Sequence, residues 1–291
     1  MNEDHALLSS ATVIDLKKQD VVFQEGDPAD DSFYFVILGC LGVYRGKRGI
    51  STMYQGHFFG EIALILNEPR TATVLVQSET ARLARFSRES FLEESRHNIH
   101  LTLRMLLTTL GRQLRILNEV RNAQQDGFRG LDTAGPILAE LRQVNASIAD
   151  SLTRMHVTYR PRDRAVFREG DRCDGNAFFI LDGEITIYKR VNGVDIEAAR
   201  LSAGDIFGME AFTKKQEHRQ YSAVVTSADS RTVFVDRDLF VKTAQLNPEF
   251  FFNVFRYQTC VLYSLERAYY SERPAGYATA EAIEEEPEVA P

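Results

Sequence analysis

Short apolar runs broken by turn residues alternate along the chain with three longer stretches of helical period. YFVILG at 34–39, LGVY at 41–44, ATVLV at 72–76 and RLARF at 82–86 are β-branched or aromatic. Between them stand polar, glycine-bearing segments such as EGDPADD and RGKRG, the chemistry of tight turns. Strands this short and this closely spaced predict a small β-barrel or jelly roll. Over 91–121 the period changes. Leu103, Leu107, Leu110, Leu114 and Leu117 follow 4-3-4-3 spacing, the seam of a helix that seeks a partner helix. Two readings stand here, and both can hold: the helix folds back on its own roll, or it meets its twin in a homodimer. A second helix is expected from Pro136, suited to a first turn, to about Arg154, with Ile137, Leu141, Val144 and Ile148 on one face. A third places Phe251, Val254, Val261 and Leu265 on a stripe, flanked by Phe255, Leu262 and Tyr269, which reads as core or dimer packing.

Comparing the chain with itself organises these elements. VVFQEGD at 21–27 returns as AVFREGD at 165–171, and YFVILGCLGVY at 34–44 returns as FFILDGEITIY at 178–188, both at an offset of 144. The offset becomes 148 where GHFFGE at 56–61 meets GDIFGM at 204–209, and 149 where RTATVLVQSETAR meets RQYSAVVTSADSR. The extra residues fall around KRVNGVD and after FGM, where turns absorb insertions. A duplicated domain follows. The expected fold is mainly β with helices: two tandem β-barrel or jelly-roll domains, each followed by a helix. Boundaries are expected at 1–122 for the first domain, 123–155 for a helical linker, 156–270 for the second domain and 271–291 for an acidic disordered tail.

Charge narrows the partners. The formal net charge of the 291 residues is −7, and residues 272–291 hold six glutamates against one arginine. A body so close to neutral carries no basic footprint, and direct DNA binding is not expected. No apolar run reaches the ~18–20 residues of a membrane span, and MNEDHALLSS has neither the basic start nor the apolar stretch of a secretory signal. Cys40, Cys173 and Cys260 are far apart and odd in number, which indicates neither a disulfide framework nor a zinc knuckle. A cytoplasmic protein fits these features.

The segment FGEIALILNEPRTATV, residues 59–74, carries the chemistry. Gly60 lets the backbone approach a ligand closely, and Glu61–Leu66 reads as a short helical turn whose free amides suit an anion. Arg70 follows eleven residues after Phe59, braced by Pro69, and a fixed guanidinium beside such amides suits a phosphate ester. Thr71 adds a hydroxyl. Glu61 beside a phosphate makes sense where its carboxylate accepts hydrogen bonds from another part of the ligand, such as a ribose hydroxyl.

At these residues the chain resembles the cyclic-nucleotide-binding domain family, to which the bacterial cyclic AMP receptor protein and the regulatory subunits of cyclic AMP-dependent protein kinase belong. The resemblance spans roughly residues 12–120 and 156–268. It implies that Glu61 takes the ribose 2′-hydroxyl, that Arg70 pairs with the cyclic phosphate, and that Gly60, Ile62, Ala63, Thr71 and Ala72 line the ligand. It implies further that the helix after the roll closes on the base, with Asn118 as the candidate reader. In the second copy Met209 stands where Glu61 stands, and Glu210 is displaced by one residue. Arg219 aligns with Arg70, while Gln220 and Tyr221 are bulkier than Thr71 and Ala72. A methionine cannot accept ribose hydrogen bonds and Tyr221 could fill part of the pocket. The second roll is therefore expected to bind nucleotide poorly, with Glu210 and Arg219 the candidates for a divergent site.

An output domain is harder to find. The 26 residues after Leu265 are too few and too acidic for a helix-turn-helix, and neither an HRD nor a DFG kinase triplet occurs. The histidines include no HxH, so the metal-binding strands of a cupin are not expected and no metal site is assigned. GVYRGKRG at 42–49 lacks the Ser/Thr of a phosphate loop and reads as an exposed hairpin tip. The expectation is a non-enzymatic sensor without a cofactor. It binds cyclic AMP, or alternatively cyclic GMP, in the first roll and signals to an unidentified protein partner. The competing reading is a scaffold whose rolls bind no ligand.

Overall fold

The computed structural model describes residues 11–91, 99–122, 139–145, 157–212 and 217–271. The expected tail, most of the helical linker and the start of the chain lie outside them. Contacts divide the chain into two compact units, one holding the described residues up to Leu101 and the other running over Thr102–Glu272.

The first unit is a roll of two four-stranded antiparallel sheets. One sheet has the order β1 (Thr12–Lys17), β8 (Thr80–Ser87), β3 (Ser32–Leu38), β6 (Phe58–Phe59). The other has the order β2 (Val21–Phe23), β7 (Thr73–Val76), β4 (Leu41–Arg45), β5 (Arg48–Met53). Alternating inward residues of both sheets meet in one core that includes Tyr34, Val36, Leu41, Phe59, Val74 and Leu83, as expected where two sheets bury one face each. RGKRG is the tip of the β4–β5 hairpin: Arg45 pairs with Arg48 across two residues.

The second unit repeats the design with longer strands. β11 (Asn176–Val191) pairs with β14 (Ser222–Asp236) along almost its whole length, and β12 (Val194–Leu201), β13 (Ile206–Phe207), β9 (Val157–Pro161) and β10 (Ala165–Phe167) complete the sheet. Register shifts at Ile180/Asp182 and Gly183/Ile185 bend the β11–β14 pair at the place where the first roll breaks into β3 and β4. The inserted residues around KRVNGVD lengthen the β11–β12 hairpin, whose tip Asn192–Gly193 has positive φ at both positions, the geometry of a two-residue turn.

Helices complete each unit. A short helix, α1 (Glu61–Leu66), sits in the first roll with all six residues buried. The helix α2 (Ile99–Asn122) begins at the end of the first unit and from Thr102 belongs to the second. There Leu103, Leu106, Leu110 and Leu114 are buried. Gln113 Nε2 donates to Gln258 O at 2.7 Å and Arg112 pairs with Glu266 at 2.6 Å. Both partners lie on α4 (Pro248–Ser271), which follows α3 (Arg237–Leu246). The leucine seam thus finds its partner helix inside the same chain, and it supplies no argument for a homodimer. Leu107 is half-buried, and the side chain of Leu117 lies outside the described residues. Residues 139–145 are helical, with Leu141 fully buried and Arg142 bridged to Asp205 at 2.7 Å. No described helix is long and apolar enough to cross a membrane.

Candidate functional site

In the first roll the site forms around Arg70, a cation that is 3% exposed. Its backbone is held by the loop after β2: Gly26 N donates to Arg70 O at 2.8 Å and Arg70 N donates to Asp27 O at 2.9 Å. Asp27 in turn caps its own turn by accepting from Gln24 N at 2.8 Å, a local bond typical of aspartate in turns. This explains the physical use of the repeated EGD. The side chain extends over the Phe23 ring, with the guanidinium carbon 4.1 Å from its centroid. Nη1 donates to Gly60 O at 2.9 Å, Nη2 donates to Ser32 O at 2.8 Å, and Nη2 also pairs with Asp30. Arg70 Nε is buried with no hydrogen-bond partner among the described residues. A buried donor left unpaired costs about 1–3 kcal/mol, so the site is short of one acceptor.

The start of α1 completes the cradle. Gly60 precedes the helix at φ 85°, and no side chain caps this end. A β-carbon at Gly60 would lie 2.6 Å from Arg70 Nη1, which makes glycine the residue that lets backbone and guanidinium touch. Glu61, Ile62 and Ala63 are buried in the first turn, Thr71 is half-buried and Ala72 is buried. The structure therefore brings Gly60, Glu61, Ile62, Ala63, Arg70, Thr71 and Ala72 into one region of the first unit. Asn118 lies on α2 beyond Thr102, in the second unit, and its side chain is outside the described residues.

The second roll reproduces this geometry closely. Gly170 N donates to Arg219 O at 2.9 Å, Arg219 N donates to Asp171 O, and the guanidinium carbon stands 4.2 Å from the Phe167 centroid. Nη1 donates to Gly208 O at 3.0 Å, Nη2 donates to Asn176 O at 2.8 Å, and Asp174 takes the part of Asp30. The difference is a second carboxylate, since Glu210 Oε1 lies 3.1 Å from Arg219 Nη1. Tyr221 Oη donates to Glu210 Oε2 at 2.8 Å and accepts from Gly208 N at 3.0 Å. Burial pushes the Glu210 carboxyl above its ordinary range, against the opposing pull of Arg219 and Tyr221. Burial and the facing Glu210 carboxylate push the Tyr221 phenol well above its own. Asp174 moves the other way. Burial alone would raise it, but hydrogen bonds from Asn176 and the Arg219 charge hold it low.

Sequence reasoning found the two arginines and missed what holds them: Phe23, Asp30 and Ser32 in one roll, Phe167, Asp174 and Asn176 in the other. The signal was present, because all three pairs recur at the offset of 144.

A family model described as the cyclic nucleotide-binding domain matches residues 13–98 and again residues 157–247, more than half of the chain. The chain belongs to the cyclic nucleotide-binding domain family. Among curated proteins, a cAMP-dependent protein kinase type II regulatory subunit of Drosophila melanogaster is 27% identical over 219 residues, covering 75% of this chain and 50% of that one. A cGMP-dependent protein kinase of Toxoplasma gondii is 37% identical over 92 residues, 31% of this chain and 9% of that one. The chain thus spans half or less of the length of these curated relatives. Among solved structures, the regulatory domain of Toxoplasma gondii PKA with cAMP covers 87% of this chain and 88% of its own at 17% identity and a TM-score of 0.29, too loose a superposition to carry residue roles.

Proposed function

We propose that this chain is a non-enzymatic cyclic nucleotide sensor whose first roll binds cyclic AMP. The observation that carries the reading is the unpaired, buried Nε of Arg70 beside the uncapped start of α1. A monoanionic phosphodiester supplies the missing acceptor there. Thr71 adds a hydroxyl at the mouth and Glu61 accepts from the ribose. Charge-assisted bonds of this kind contribute about 1.5–3 kcal/mol each, so Arg70 and Glu61 together supply about 3–6 of the roughly 8 kcal/mol of a micromolar complex. The names of the curated relatives favour cyclic AMP over cyclic GMP. They also favour a kinase catalytic chain as the protein partner that reads the signal. The relay runs through α2, a single helix whose first residues belong to the first unit and whose remainder belongs to the second.

Titration calorimetry of the full chain with each nucleotide tests the assignment. Cyclic AMP is expected to bind one site per chain, abolished by Arg70→Ala, weakened by Glu61→Ala and nearly unchanged by Arg219→Ala. A chain that takes up neither nucleotide at millimolar concentration sinks the sensor and leaves the scaffold.

A further inference from the structure

The second roll keeps every part of the arginine's housing and still differs at the point where a ligand's charge would sit. Arg219, Gly208, Asp174, the Asn176 carbonyl and the Phe167 ring repeat the first site one for one. Among the positions that differ, two reach the arginine's seat. Ile62 of the first copy becomes Glu210, and Ala72 becomes Tyr221. Both new side chains are buried, and both turn onto donors beside the seat that a phosphate would take. Glu210 takes Arg219 Nη1, and the Tyr221 phenol oxygen takes the Gly208 amide. The phenol also donates to the other oxygen of Glu210, and with Gly208 O accepting from Arg219 Nη1 the bonds close a ring through four residues. Arg219 therefore faces two carboxylates, where Arg70 has Asp30 and a spare Nε.

We propose that Glu210 and Tyr221 form a built-in substitute for a ligand's phosphate, and that these two side chains, rather than any loss of the arginine, close the second roll to cyclic nucleotides. The proposal rests on the sensor reading of the first roll only for the identity of the excluded ligand. An incoming phosphodiester would have to displace a carboxylate already bonded at 3.1 Å to Arg219 and a phenol already bonded at 3.0 Å to Gly208. It would also bring a third negative charge to a seat that holds one cation. A partly open cavity of about 80 Å³ adjoins Glu210 and Tyr221, lined by Leu201, Ile206 and Met209 of the roll, Leu110 and Leu114 of α2, and Val261 of α4. Met209 adds a smaller bar, because its sulfur accepts from Gln258 Nε2 of α4 at 3.3 Å where the first copy has the carboxylate of Glu61.

The test is a gain of binding in the full chain with the first roll silenced by Arg70→Ala. Two variants are made in that background. One is near-isosteric, Glu210→Gln with Tyr221→Phe. The other restores the first copy at three positions, Met209→Glu, Glu210→Ile and Tyr221→Ala. Calorimetry with cyclic AMP is expected to show no uptake by Arg70→Ala alone. Uptake at least about tenfold tighter is expected in either variant, the size of one regained charge-assisted hydrogen bond, and adding Arg219→Ala should remove it. If the restored variant does not fold, the near-isosteric one decides, with folding checked by circular dichroism. A folded near-isosteric variant that takes up no cyclic AMP at millimolar concentration overturns the proposal. Binding by Arg70→Ala alone that disappears on adding Arg219→Ala overturns it too. A wild-type chain with a dead first roll sinks only the sensor reading, because the gain is measured without that roll.

Discussion

Gly60→Ala tests the geometry of the first site more sharply than removal of Arg70 itself. The backbone at Gly60 has φ 85°, and an added β-carbon would stand 2.6 Å from Arg70 Nη1. The left-handed conformation costs an alanine about 1–2 kcal/mol, offset by roughly 0.4–1 kcal/mol from the lower entropy of the unfolded chain. The collision adds to this. Nη1 has to leave Gly60 O, and a hydrogen bond to a charged group is worth about 1.5–3 kcal/mol. The guanidinium cannot retreat cheaply, because Phe23 covers one face and Asp30 and the Ser32 carbonyl hold the other amino group. The first unit should therefore lose about 2–4 kcal/mol in chemical unfolding, and cyclic AMP affinity should fall by about a hundredfold or more, as two charge-assisted bonds are misplaced. Gly208→Ala is the internal control. There the nearest atoms, Arg219 Nη1 and Phe178 Cδ2, both lie at 3.1 Å, so the loss should be smaller by about the difference in collision, on the order of 1 kcal/mol. A Gly60→Ala chain that unfolds like wild type and binds with unchanged affinity would show that Arg70 moves freely, and the cradle argument would fail with it.

Acid titration should separate the two carboxylates around Arg219. Asp174 is held below its ordinary 3.8, so its contribution is present above that value and lost as pH falls through the lower folded value; Asp174→Asn should flatten the acid loss of stability. Glu210 is raised above 4.5, so the folded state binds its proton more tightly and gains stability as pH falls through that window; Glu210→Gln should steepen the same curve, read as unfolding midpoint against pH. Leu110→Glu places a carboxylate at a position 4% exposed within the second unit. It should lower the thermal midpoint by the equivalent of about 3–5 kcal/mol without changing the elution volume of the folded fraction in size-exclusion chromatography, whereas a halved apparent mass with an unchanged midpoint would restore the dimer seam. Tyr257→Phe removes the phenol that donates to Asp205 Oδ1 at 2.9 Å inside the second unit; a loss of about 1–2 kcal/mol in chemical unfolding is expected, and no loss would mean that Arg142 and the Ser202 amide satisfy Asp205 alone.

The rolls were legible because duplication doubles every local signal. Turn chemistry at RGKRG marked a hairpin tip that the structure shows as one, and the loop expected around KRVNGVD is the Asn192–Gly193 hairpin turn, since a two-residue turn depends on little beyond its own residues. The cassette was legible for the same reason: Gly60, Glu61 and Arg70 lie within eleven residues. The housing of the arginine was not read, because Phe23, Asp30 and Ser32 reach Arg70 across 38 residues or more, a distance over which periodicity says nothing. The leucine seam shows the other limit. Spacing states that a helix has an apolar face, and it is silent on whether the face belongs to a second chain or to a helix 145 residues further along, where Gln113 meets Gln258.

Met209, Glu210 and Tyr221 carry the deeper lesson about the repeat. Taken singly, each substitution weakens a nucleotide site, and decay would be a sufficient account. Taken together they do not behave as decay, because random loss in a buried polar pocket leaves donors unsatisfied, at about 1–3 kcal/mol each. Here the Gly208 amide, Nη1 and Nη2 of Arg219 and both oxygens of Glu210 are paired. A buried arginine cannot shed its charge as a buried lysine can, so a roll that gives up its anionic ligand while keeping Arg219 must supply a resident anion or lose the arginine's shell. Glu210 is that anion and Tyr221 fixes its orientation. On this proposal the second roll keeps its arginine paired by residues of its own, in the same unit where Arg112 and Gln113 of α2 bond to α4.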